Sequence, residues 1–261
     1  MNAAALFLVT HGSSDRRSWS ALQNLVNVAL SQSSSPNLHN YLISGGCLEG
    51  LELTLAQQLE QFAIEVFSYG CKEITILPLF LLAGVHVSED IPHEVAIAQS
   101  KLQQTLSQSA NQDAIKSSEP ITIRVTPHLG THSRIPHLLD QHFRDHEHHP
   151  EEGNPNQAQG RILIAHGSRR DGANQVIEDL AHQSQAIAAY WGVEPKIETQ
   201  IENLIAQNVY RINVLPYFLT SGGITEAIAN KLSVYSDRAQ INLLPVPLSN
   251  QQIINLASTF I

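Results

Sequence analysis

Short apolar runs closed by turn residues alternate along the chain with stretches whose apolar residues return every three to four positions. This order signals repeating strand–helix units and a parallel sheet, because parallel neighbours need a crossover and a helix usually supplies it. In the first half it predicts strands near Ala4–Thr10, Asn40–Ser44, Glu73–Leu79 and Ile121–Val125. Trp19, Leu22, Val26 and Ala29 mark one buried helical face between them, and Leu55, Leu59, Phe62 and Val66 mark another. The second half predicts strands near Arg161–Ala165, Pro195–Thr199, Arg211–Leu215 and Ile241–Leu244, again with helices between.

The halves also share words. Leu8–Arg17 reads LVTHGSSDRR and Leu163–Gly172 reads LIAHGSRRDG, while Ile76–Asp90 reads ILPLFLLAGVHVSED and Val214–Ala227 reads VLPYFLTSGGITEA. Two matched landmarks in one order imply an internal duplication. The copies are unequal, since 67 positions separate His11 from Pro78 but only 50 separate His166 from Pro216. Aligning Pro78 with Pro216 also sets His86 opposite Ile224. The first half thus holds two candidate site histidines, His11 and His86, and the second only His166.

These landmarks divide the 261 residues into an amino-terminal lobe at 1–145, a polar linker at 146–159 and a carboxy-terminal lobe at 160–261. The linker, HEHHPEEGNPNQAQ, is broken by Pro150, Gly153 and Pro155 and has no apolar period. Ser107–Glu119 is similarly polar and predicts a loop before the fourth strand. With 43% hydrophobic and 15% charged residues the chain reads as soluble and globular, and no stretch nears the roughly 20 apolar residues that span a bilayer. The first residues lack the basic region of an export signal and run straight into a strand, so a cytoplasmic, non-membrane protein is expected.

Cys47 and Cys71 are too few for a disulfide framework or a four-thiolate metal site, and read as small core residues. A net charge of −9 argues against nucleic acid as a partner, because phosphate contacts need clustered Lys and Arg. An anionic substrate would need a local basic pocket.

Ligands of an open parallel sheet bind at the carboxyl ends of its strands. His11 directly follows the first strand, and His86 is expected in the loop after the third, ahead of a helix starting near Asp90 and Pro92. Two neutral imidazoles facing one cleft suit a divalent transition ion, and with two protein ligands that ion keeps open positions. Such incomplete coordination fits a metal that is substrate better than a closed structural site. Glu89, Asp90 and Glu49 supply carboxylates that can accept protons or relay the ion, although Glu89 and Asp90 also favour a helix amino terminus by charge alone. Ser13, Ser14, Arg16 and Arg17, with Ser168 and Arg169 in the second half, offer hydroxyls and guanidinium groups to substrate carboxylates, with helix capping as the competing explanation. Seven histidines between His128 and His149, with His142 and His146 at i, i+4 spacing, form a tract able to hold metal ions loosely.

The blocks VTHGSSD, LPLFLLAGVHVSEDIP (Leu77–Pro92), PHLG (Pro127–Gly130), HGSRRDGA and LPYFLTSGG resemble the sirohydrochlorin chelatases, class II chelatases in their long two-lobed form. The resemblance spans almost the whole chain, and the block containing His86 is its most specific part. It implies an α/β fold of two similar lobes, each a four-stranded parallel sheet flanked by helices. It also implies ATP-independent insertion of Co²⁺ or Fe²⁺ into sirohydrochlorin, on the route to cobalamin or sirohaem. His11 and His86 take the places of the family's catalytic, metal-binding histidines. One of these histidines, or a nearby carboxylate such as Glu89, is expected to take the pyrrole protons, and Gly84 is expected among the substrate contacts. No permanent cofactor is expected; the ion is substrate, and the donor set suits nickel as well as cobalt and iron. The partners expected are sirohydrochlorin and the ion, acting on a monomer. A metal-storage or metal-delivery protein using the His-rich linker is the rival reading. A histidine phosphatase is a weaker one, because Thr10 and Ala165 stand where its arginine would precede the histidine.

Overall fold

Two four-stranded sheets, all of whose strand pairs are parallel, form the centres of two lobes in the computed structural model. The structure describes residues 4–31, 41–108, 121–147 and 159–261. In the first lobe β1 (Ala4–Gly12), β2 (Tyr41–Glu49), β3 (Glu73–Pro78) and β4 (Thr122–Val125) lie in the order β2-β1-β3-β4. In the second, β5 (Gln159–Ala165), β6 (Ile187–Tyr190), β7 (Arg211–Pro216) and β8 (Gln240–Leu243) repeat it as β6-β5-β7-β8. The registers match too: Val9 pairs with Pro78, as Ile164 does with Pro216. The duplication read from the sequence is therefore structural.

Helices cover both faces, as strands buried on two sides require. In the first lobe these are α1 (Arg16–Ser31), α2 (Leu55–Ser68) and α3 (Ile91–Gln108). Ala5, Phe7 and Val9 of β1 and Ile74 and Ile76 of β3 pack against Leu55, Leu59, Phe62 and Val66 of α2 and Val95, Ala98 and Leu102 of α3. The predicted face of α2 is buried throughout, and that of α1 is buried at Leu22, Val26 and Ala29. Helix α2 is closed at its start by a capping box between Thr54 and Gln57.

By contacts the chain divides into two units, Met1–His132 with Asn250–Ile261, and Ser133–Ser249. This division differs from the expected 1–145, 146–159 and 160–261. Helix α4 (Ile135–Asp145) follows the first sheet in sequence but belongs to the second unit, where Asp140 pairs with Arg161 of β5 at 3.0 Å and Phe143 lies under the same guanidinium. Helix α8 (Asn250–Ala257), the last of the chain, belongs to the first unit and contacts α1. Each apolar helix face goes where it is buried, which the order of elements does not reveal. Most of the expected linker, 148–158, and of the expected loop, 109–120, lies outside the described residues; Ser107 and Gln108 continue α3.

The second unit holds α5 (Gln175–Gln183), α6 (Ile197–Ala206) and α7 (Gly223–Leu232) besides α4. The strand expected at Pro195–Thr199 is a correction: β6 lies earlier, at Ile187–Tyr190, and Ile197 opens α6. Ile197 and Ile201, four apart, are both buried on one helical face, and this burial overrides a short β-branched run.

Candidate active site

His11 stands at the carboxyl end of β1, on a loop locked by close backbone approach. Gly12 has φ +81°, and a Cβ there would stand 2.0 Å from the Glu49 carbonyl oxygen. Gly50 (φ +85°) makes the reciprocal approach to the Ser13 carbonyl. Any side chain would force these turns apart. Their closeness brings Glu49, the last residue of β2, beside His11, with Oε2 3.9 Å from Nε2.

His86 arrives from the other side. It is not in a loop, as expected, but opens a π-helical turn (His86–Asp90) that runs directly into α3, with the Ile91 N–H donating to the His86 carbonyl. One extra residue in a helical turn widens it, a device common at functional sites. The segment leading to it is held from β4: His128 Nδ1–H and the Gly130 N–H both donate to the Phe80 carbonyl, each at 2.9 Å, and the Phe80 ring lies 6.3 Å from that of His86.

The rings of His11 and His86 meet, their centroids 4.4 Å apart at an interplanar angle of 34°. Nitrogens sharing one ion at about 2.1 Å each stand roughly 3–4 Å apart, a spacing such rings accommodate. The side chains are 48% and 40% exposed, so an ion can reach them from solvent. His86 Nδ1–H donates to Asp90 Oδ2 at 2.7 Å. A carboxylate only accepts, so in the neutral ring this bond selects the Nδ1–H tautomer, whose lone pair is on Nε2. Among the described residues no group of three His, Cys, Asp or Glu is arranged to hold a metal ion.

The other expected residues fall in several places. Glu89 is exposed on the π-helical turn, one residue before Asp90. Gly84 lies just upstream, its carbonyl accepting the N–H groups of Val87 and Ser88 at 3.0 Å each. Ser13 Oγ accepts the Asp15 N–H, and Asp15 accepts the Arg17 N–H at the start of α1. Asp15 also pairs with the Arg17 guanidinium, whose hydrogen bond holds the Asp15 carboxyl below its usual range. Capping thus occupies part of this group, while Ser14 and Arg16 are exposed beside it. Ser168 and Arg169 lie in the second unit on the loop after β5, where Ser168 is bound through its backbone to the Asn174 amide. Cys47 and Cys71 are buried free thiols, as expected of core residues.

The second lobe lacks the constellation altogether. Registers set Thr10 on Cys47 and Ala165 on Tyr190, so Gly192 occupies the place of Glu49. The offset that puts Ile224 opposite His86 also puts Ala227 and the fully buried Ile228 opposite Glu89 and Asp90. His166 Nδ1–H is turned to the Gly167 carbonyl at 3.1 Å.

Sequence reasoning named Asp90 as a nearby carboxylate but not as the partner of His86. The signal was their i, i+4 spacing, hidden because Pro92 drew the expected helix start too far downstream.

Comparison with known proteins now decides the family, since the CbiX family model matches residues 5–146 and 160–254. The chain belongs to the CbiX family. Its members include the sirohydrochlorin chelatases that the His11 and His86 blocks resemble. No curated protein matches the sequence. Among solved structures, SirB from Bacillus subtilis with Fe³⁺ matches 99% of this chain and 94% of its own at 17% identity and TM-score 0.73. The cobalt complex of the sirohydrochlorin chelatase SirB from Bacillus subtilis subspecies spizizenii matches 99% and 93% at 18% identity and TM-score 0.67. CbiX, described as the terminal enzyme for sirohaem biosynthesis in denitrifying bacteria, matches 99% and 98% at 18% identity and TM-score 0.58. At such identities the likeness shows a shared fold. No helix among the described residues is long and apolar enough to cross a membrane.

Proposed function

We propose that the chain inserts a divalent ion, Co²⁺ or Fe²⁺, into sirohydrochlorin without ATP, as a cytoplasmic monomer on the route to cobalamin or sirohaem. The observation that carries this reading is the His11–His86 ring pair at 4.4 Å, set at the carboxyl ends of parallel strands. The ion rests on the two imidazoles with water in its remaining positions, and Asp90 keeps His86 Nε2 directed to it. Exposed Ser14, Arg16 and the Gly84 backbone receive peripheral carboxylates of the macrocycle.

Insertion replaces imidazole–metal bonds with pyrrole–metal bonds, and two pyrrole N–H protons leave for each ion gained. Glu89 and Glu49 are the acceptors proposed for those protons, because Asp90 is already engaged with His86. Placing ion, ring and base together removes the entropy of a three-body encounter, and a positioned base adds about 10²–10⁴-fold. Imidazole and carboxylate donors do not rank cobalt over iron, and nickel suits them equally.

An anaerobic absorbance assay of the purified chain with sirohydrochlorin and Co²⁺, Fe²⁺ or Ni²⁺ tests the proposal. Native protein is expected to speed insertion of at least one ion, and His86→Ala to abolish the effect. Equal rates for the two proteins would remove the site assignment.

A further inference from the structure

A second pair of imidazoles lies in the second unit. His142 and His146 are four residues apart at the carboxyl end of α4, where His146 is the C-cap. Their ring centroids are 4.6 Å apart at 31°, close to the 4.4 Å and 34° of His11 and His86. The His146 ring is held through Nδ1, as the His86 ring is. His146 Nδ1–H donates to the His142 carbonyl at 2.8 Å, which leaves the lone pair on Nε2. His142 Nε2 is buried without a hydrogen-bond partner among the described residues. A carbonyl-fixed Nδ1–H is the arrangement that sets the tautomer and direction of metal-binding histidines.

We propose that His142 and His146 form a second binding site for a divalent transition ion of the class that prefers imidazole: Co²⁺, Ni²⁺, Cu²⁺ or Zn²⁺. A buried ring nitrogen with no hydrogen-bond partner is an unfavourable state, and coordination relieves it. The end of α4 carries the negative pole of the helix, which favours a cation. Asp145 adds negative charge nearby, whereas Asp140, Arg144, Arg161 and Glu147 neutralise one another in a separate network. Burial, and then the neighbouring His146, hold His142 below its usual pKa. The site is open, since two imidazoles leave positions for water, and it excludes Mg²⁺ and Ca²⁺, which want oxygen ligands. Rotation of the partly exposed His146 ring admits the ion to the buried nitrogen. This site does not depend on whether the His11–His86 pair inserts metal.

The test titrates Co²⁺ into the full chain without sirohydrochlorin, following the visible cobalt bands and the ¹⁵N imidazole signals of His142 and His146. One cobalt equivalent is expected to shift or broaden both signals in native protein and in His11→Ala. His146→Gln should weaken that equivalent by about tenfold or more. Replacing His148 and His149 by Ala should leave it in place. Signals of His142 and His146 that ignore Co²⁺ would overturn the proposal without any variant, as would unchanged binding in folded His146→Gln. Loss of the equivalent in the His148/His149 variant alone would do the same, by assigning it to the neighbouring tract.

Discussion

His86 Nδ1 and Asp90 Oδ2 are 2.7 Å apart, one helical turn from each other on the π-helical segment that leads into α3. The carboxylate holds the ring in one tautomer, and the ion sees the result at Nε2. Asp90→Asn keeps the size but offers a donor as well as an acceptor, so the ring is free to reverse its tautomer. The expected outcome is a rise of about 10–100-fold in KM for the metal. The Asp90 side chain is 44% exposed, so Tm should move little. Steady-state insertion rates over a range of Co²⁺ concentrations check this, and an unchanged KM would show that Asp90 orients nothing.

The two lobes predict unequal mutants. His166 has Gly192, Ile224 and Ala227 where His11 has Glu49, His86 and Glu89 for company, so none of these equivalent positions offers it a second ligand. His166→Ala is expected to keep insertion within about threefold of native, while His11→Ala and His86→Ala each lose about 10²-fold or more. The three variants compared in one assay decide whether the second lobe has any catalytic part.

Much of this was legible in the sequence because it is local. The repeated HGS at a strand end, the LPLF and LPYF echoes and the three-to-four spacing of Leu55, Leu59, Phe62 and Val66 are patterns a short window contains. β6 was not, because Ile187–Tyr190 reads IAAY and its two alanines carry no strand signal, while Ile197 downstream looked like strand until Ile201 completed a helical face. The place of Glu49 was hidden for another reason: β2 and β6 share no words, and only their register against β1 and β5 aligns Glu49 with Gly192. The assignment of α4 and α8 to different units has no local cause at all. It follows from tertiary contacts, α4 with Arg161 of β5 and α8 with α1.

Gly12 makes the His11–Glu49 arrangement dependent on a missing side chain. Ala at this position must adopt a positive φ, here +81°, and its Cβ would lie 2.0 Å from the Glu49 carbonyl oxygen. The backbone has to move, at a cost of about 2–3 kcal/mol. Gly12→Ala should therefore shift chemical denaturation to lower denaturant and depress insertion even where the protein is folded. Gly223→Ala, at the start of α7, is the control, since a Cβ there meets nothing within 4 Å. Equal stability of Gly12→Ala and native protein would contradict the close approach.

The half-buried ring of His142 sets a pH dependence whose sign is fixed. Burial first, and the adjacent His146 second, lower its pKa from 6.5. The unfolded chain therefore takes up a proton that the folded chain resists, and unfolding draws in protons as the medium is acidified. The stabilisation is complete above the unfolded value near 6.5 and drains away as pH falls through the folded value below it. Urea denaturation at intervals from pH 7.5 to 5 should show this loss, and His142→Gln, which cannot titrate, should flatten it in that window while lowering stability at pH 7.5 through imperfect packing. A variant whose stability keeps the native slope would place the titrating group elsewhere. Added Co²⁺ should steepen the native slope, because an ion at Nε2 competes with the same proton.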